Sequence, residues 1–253
     1  MRCPADLPQS RPATDVLKFG VWHAVGLLLL AFGVSQIAWC LSYAARDIDF
    51  SHYYITANIL RSGGDPYSEP LQPHCEALGL VYDDRIPVGT HPPLIIKFFA
   101  CFSWLPLEKA YLVWAFGQAI CMATIVIITL RIVQVSKAPG ANLAFAGLAV
   151  ASSAMLAHWQ FSQVQLLVGA LVYAAYFAQT RQRNAIACGL ATAATCFKLY
   201  PIVLLPWFLL CGARDVRAIG RRIGAALAVV AATLAITGVD AWHGFVTRGL
   251  PVI

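Results

Sequence analysis

AARDIDFSHYYITANILRSGGDPYSEPLQPHCEALGLVYDDRIPVGTHP, residues 44–92, is a polar island in an apolar chain, and its setting decides the fold. It holds Asp47, Asp49, Asp65, Glu69, Glu76, Asp83 and Asp84, seven of the twelve acidic residues. Of 253 residues 59% are hydrophobic and 12% charged, and the mean hydropathy is +0.68. Soluble domains carry about 25% charged residues, so a polytopic membrane protein is expected, with the island as a loop on one face.

The net charge of +6 is not gathered into a groove. It comes in short clusters between apolar runs, Arg131 with Lys137, Arg181 with Arg183, and Arg214 to Arg222. That is the pattern of cytoplasmic loops, not of a nucleic-acid footprint, so membrane lipid is an expected partner and nucleic acid is not. The eight cysteines show no CxxC spacing, and most lie inside hydrophobic runs. Neither a metal knuckle nor a disulfide framework is expected.

A membrane-crossing helix needs about 17 to 25 mostly apolar residues. Residues 20–43 meet that requirement and are too long for a signal-peptide core, so 1–19 reads as a cytoplasmic tail and 20–253 as a single membrane domain. Further spans are expected at 109–130, at 141–157, in a segment ending near Gln179, and at 223–238, about five in all. Within the island, Phe50–Leu60 looks amphipathic and would lie along the membrane surface, ending at the Ser62-Gly63-Gly64-Asp65-Pro66 turn signal. Leu94–Trp104 contains Lys97 and is too short to cross. Lys198-Leu199-Tyr200-Pro201 interrupts 185–211. A broken hairpin there places the basic clusters at 181–183 and 214–222 on one face and points Lys198 and Tyr200 toward the face bearing the island. The expected fold class is all-α, a polytopic transmembrane helical bundle whose long outer loop bears an amphipathic helix.

Several residues admit two readings. Asp47 and Asp49 stand just past the first span, where a carboxylate stays ionised on its wet side and can take a proton from a bound hydroxyl; equally, they can be solvated loop charges. Lys198 either faces a polar cavity or snorkels to an interface. Gln163 and Gln165 either contact substrate or join helices by hydrogen bonds. Tyr53, Tyr54 and Tyr67 can be interfacial anchors, and His91 and His158 exposed loop residues. His52 is near Asp49 without a ligand cluster around it, so no metal site is expected, although the Asp-x-Asp pair leaves help from a divalent ion open.

The order of these pieces resembles glycosyltransferase family 87, membrane transferases of the GT-C superfamily that use polyprenyl-phosphate sugars and include bacterial alpha-mannosyltransferases. The resemblance rests on Asp49-Phe50-Ser51-His52-Tyr53-Tyr54, the Gly63-Gly64-Asp65-Pro66-Tyr67 turn, His91-Pro92-Pro93, Leu105-Pro106 with Trp114, Gln163-Val164-Gln165, and Lys198-Leu199-Tyr200-Pro201. It runs over roughly residues 20–253. It implies a GT-C-type fold and transfer of a hexose, mannose favoured, from a polyprenyl-phosphate donor to a glycolipid or glycan hydroxyl. The active face would be the outer face of a bacterial inner membrane, with 44–92 as its catalytic loop.

By the same resemblance Asp49 is the general base and Lys198 the cation for the donor phosphate. Asp47, Tyr53, Tyr54, Tyr67, His91, Gln163 and Tyr200 would be substrate contacts, and no cofactor is called for. Members of the family run on for several more spans past the equivalent of Trp242 to Pro251, which implies a chain lacking its C-terminal half. The alternatives are a non-catalytic membrane subunit or transporter-like protein, and an inactive truncated transferase.

Overall fold

The computed structural model describes residues 13–42, 48–80, 82, 84–133, 139–213 and 215–252. Its α-helices are α1 (Ala13–Leu41), α2 (Ile48–Arg61), α3 (Gln72–Ala77), α4 (Pro93–Ala100), α5 (Leu107–Val133), α6 (Pro139–Ala151), α7 (Ser153–Phe161), α8 (Gln165–Thr180), α9 (Asn184–Phe197), α10 (Leu205–Leu210), α11 (Val216–Thr237) and α12 (Val239–Gly244). No strand occurs among the described residues. The fold is an all-α polytopic bundle.

Three of the helices, α1, α5 and α11, are long and apolar enough to cross a membrane. The expected span at 141–157 is instead a pair, α6 and α7, bent by 45°. The break falls at Ser152, whose hydroxyl caps α7 by accepting from the Met155 amide. Counting that pair as one gives up to four spans. The helix ending near Gln179 has only 16 residues, about 24 Å against the ~30 Å of hydrocarbon, so among the described residues the helices long enough to cross are fewer than the about five expected.

Small residues let α1 and α6 approach closely. A Cβ on Gly26 would lie 2.7 Å from the Ala144 nitrogen, and one on Gly147 would lie 2.7 Å from the Gly26 carbonyl. Such backbone-to-backbone packing is how helices associate in lipid, where the hydrophobic effect cannot drive them together. The faces turned away, with Leu28 71% exposed, are left for lipid.

The polar island is not a surface appendage. The expected surface helix is α2, and it is buried on all sides: Phe50, Tyr53, Tyr54, Ile55 and Ile59 form a core with Leu71, Ile95, Phe99, Leu107, Tyr111 and Trp114. Its buried Thr56 hydroxyl donates to the His52 carbonyl at 2.7 Å, which makes the burial affordable. A Schellman turn ends it, with the Gly64 amide on the Ile59 carbonyl and Gly63 at φ +87°. As expected, α4 is too short to cross, at eight residues.

The Lys198 break makes a hairpin. After α9 the chain turns through a 3-10 helix at Tyr200–Leu204 and comes back as α10, so that Phe208 packs on Ala187, Cys188 and Ala191 near the start of α9. Arg222 of α11, 2% exposed, secures the return by donating from Nη1 to the carbonyls of Phe208, Leu209 and Cys211. The basic clusters gather at that end: Arg131, Arg181 and Arg183 border one cavity, and Arg183, Arg221 and Arg222 the next.

Candidate active site

Asp49 sits in the first turn of α2. Gln163 Nε2 donates to its Oδ2 across 114 positions of sequence. The link between α7 and α8 that presents Gln163 is held rigidly: Ser162 is fully buried in a left-handed conformation, φ 49°, and its carbonyl accepts from Trp114 Nε1 at 2.9 Å. The buried Gln118 amide, oriented to suit its neighbours, accepts from the same indole and donates to the His158 carbonyl, both at 3.2 Å.

One turn after Asp49, Tyr53 is 1% exposed and lies between two rings. Its centroid is 4.4 Å from that of His91 and 4.8 Å from that of Phe99, on which it stacks. Burial, reinforced by the Asp49 charge, raises the Tyr53 phenol above its ordinary value, so it stays a protonated donor. Behind His91, the Tyr67 hydroxyl donates to the His91 carbonyl at 2.9 Å, and burial with the Asp65 charge raises that phenol likewise.

Burial pushes the His91 imidazole down to about 3, with the His52 and Lys198 charges adding to the effect. It is neutral at physiological pH, and its buried Nε2 has no hydrogen-bond partner among the described residues. Lys198, at the end of α9 in extended conformation, is partly buried and lies within the field of the Asp49 carboxylate. Its own charge reaches His91 and His158. A carboxylate, an ammonium, a neutral imidazole and an amide from four segments therefore share one site. Such a set can take a proton at Asp49 and hold anionic oxygens at Lys198.

Of the expected site residues, Asp49, Tyr53, His91, Gln163 and Lys198 come together. Asp47 lies outside the described residues. Tyr53, Tyr54 and Tyr67 are buried, at 1%, 7% and 3% exposure, and are not interfacial anchors: Tyr54 donates to the Leu105 carbonyl at 2.8 Å, and Tyr67 supports His91. His91 is not an exposed loop residue, because its ring is packed against Tyr53. Tyr200 is 55% exposed, and no side-chain hydrogen bond ties it to the other site residues among those described. Sequence reasoning undervalued His52, 3% exposed and acting on His91; its spacing of three from Asp49 on a helix was the available signal. Among the described residues no group of three His, Cys, Asp or Glu could hold a metal ion.

A model described as glycosyltransferase family 87 matches residues 90–253. The chain belongs to glycosyltransferase family 87. With its apolar spans it is a membrane glycosyltransferase, acting on a sugar donor and an acceptor. The family 87 match takes in His91, Trp114, Gln163 and Lys198 and begins after Asp49, Tyr53, Tyr54 and Tyr67. No curated protein and no solved structure matches this chain.

Proposed function

We propose that this transferase moves a hexose, mannose first among them, from a polyprenyl-phosphate carrier to a hydroxyl of a glycolipid or glycan on the outer face of a bacterial inner membrane. The observation that carries the reading is the Asp49 carboxylate and the Lys198 ammonium held in one field at the end of α9 away from the arginine clusters. Positive residues favour the cytoplasmic side, and the 14 residues of α9, about 21 Å, separate Lys198 from that side.

In the reaction the acceptor oxygen attacks the anomeric carbon and gives its proton to Asp49. The bond from that carbon to the phosphate oxygen breaks with its electron pair on the phosphate, and the configuration at carbon inverts. Lys198 meets the charge that develops on the phosphate, the kind of preorganised electrostatic help that contributes heavily to catalysis. Gln163 orients the carboxylate, and neutral His91 offers a hydrogen bond rather than a charge. Asp47, Tyr54 and Tyr200 have no assigned step.

Asp49→Asn tests the base. Transfer from a lipid-linked sugar should fall about 10²–10⁴-fold, and full transfer by this variant sinks the assignment. No cofactor takes part in this reading, so transfer should survive chelation with EDTA. Mass analysis of lipid-linked sugars and glycolipids with and without the gene identifies the hexose and the acceptor together.

A further inference from the structure

A cavity of about 220 Å³ takes no part in the step above. Three segments that meet only in the fold line it: the stretch from Leu60 at the end of α2 to Tyr67, the start of α4, and the stretch from Thr237 through α12 to Arg248. Four charged groups face it. Asp65 Oδ2 pairs with Arg248 Nη2 at 2.8 Å, both half-exposed. Lys97 and Asp240, both exposed, have no ion-pair partner among the described residues. Tyr67 closes one side, and its hydroxyl is the group that holds the His91 carbonyl.

The balance of charge selects the ligand. Two carboxylates repel a phosphate, and the ammonium and guanidinium repel a cation, so the cavity favours a neutral molecule rich in hydroxyls. Carboxylate oxygens accept from hydroxyls while Lys and Arg donate to their oxygens, and hydrogen bonds to charged partners are the stronger kind. Drug-sized ligands need about 300–1,000 Å³, so this volume suits a single sugar ring. The donor's phosphate has its cation at Lys198, which does not line this cavity, and that leaves the acceptor as the second saccharide to be held.

We propose that this cavity binds one hexopyranose unit of the acceptor glycan. The assignment to the acceptor rests on the glycosyl-transfer reading above; the sugar binding itself does not. Tyr67 then links the two sites, since one face of the residue lines the sugar cavity and its hydroxyl sets the position of His91.

The test uses the full chain in lipid nanodiscs free of sugar detergents. Saturation-transfer NMR measures binding of the methyl glycosides of mannose, glucose and galactose. At least one should bind the wild type, and Asp240→Asn and Ala241→Phe, which remove a hydroxyl acceptor and fill the cavity, should each weaken it about tenfold or more. Asp49→Asn should bind as the wild type does. Binding of no glycoside by the wild type overturns the proposal, as does unchanged affinity in both cavity variants. If Asp49→Asn keeps both binding and transfer, the base assignment fails while the sugar cavity stands.

Discussion

Replacing Trp114 by Phe isolates the support beneath the site. Trp114 is 2% exposed, and its indole donates at 2.9 Å to the carbonyl of Ser162, itself fully buried. Removing the donor orphans that carbonyl, at about 1–3 kcal/mol, and the smaller ring leaves a void adding about 1 kcal/mol. For a chain of this size each kcal/mol lowers Tm by about 2–4 °C, so a loss of roughly 5–15 °C is expected in thermal unfolding in nanodiscs. The kinetic effect comes through the next residue: loosening the Gln163 hydrogen bond to Asp49 by about 1.4 kcal/mol slows transfer about tenfold. Tyr54→Phe is the control, since it orphans the Leu105 carbonyl, otherwise bonded at 2.8 Å, without touching the Ser162 link. It should destabilise comparably and transfer sugar normally. Equal slowing by both variants, or full transfer by the destabilised Trp114→Phe, refutes the idea that this link positions Asp49.

Two further outcomes follow from the same geometry. Arg222→Met leaves three carbonyls at the end of α10 without their donor and should cost about 3 kcal/mol, seen as a lower midpoint in thermal unfolding. His91 stays neutral in the fold down to about 3, whereas the unfolded chain takes up its proton near 6.5. The stability tied to this residue is thus fully present above about 6.5 and is lost as pH falls from there toward about 3. Thermal unfolding of the wild type should show that acid slope, His91→Asn should flatten it, and an unchanged slope in the variant contradicts a buried neutral imidazole.

What could be read beforehand was local. The Gly63-Gly64 turn, the short α4 and the break at Lys198 each carry their own backbone signal, and each forms where expected. The gathering of Arg131, Arg181, Arg183, Arg221 and Arg222 at one end was legible from their placement between apolar runs. The burial of α2 was not, because its alternation of Tyr, Thr and Asn with apolar residues looks amphipathic until the polar groups find partners. Asn58, for example, donates to the Tyr54 carbonyl within the helix at 3.2 Å. Long-range pairs such as Gln163 with Asp49 and Arg248 with Asp65 leave no trace in any window of sequence. The glycines that bring α1 and α6 together did leave one: Gly26 and Gly33 repeat at the same interval as Gly140 and Gly147.

The Arg222 clamp bears on how the chain is made. The carbonyls of Phe208, Leu209 and Cys211 are synthesised before the arginine that satisfies them, 14 positions after Phe208. Until α11 arrives they must stay in water or in the translocation machinery, because hydrocarbon offers no donor. Ribosome-bound chains ending before Arg222 should therefore leave the end of α10 accessible to aqueous reagents, and chains that include Arg222 should protect it.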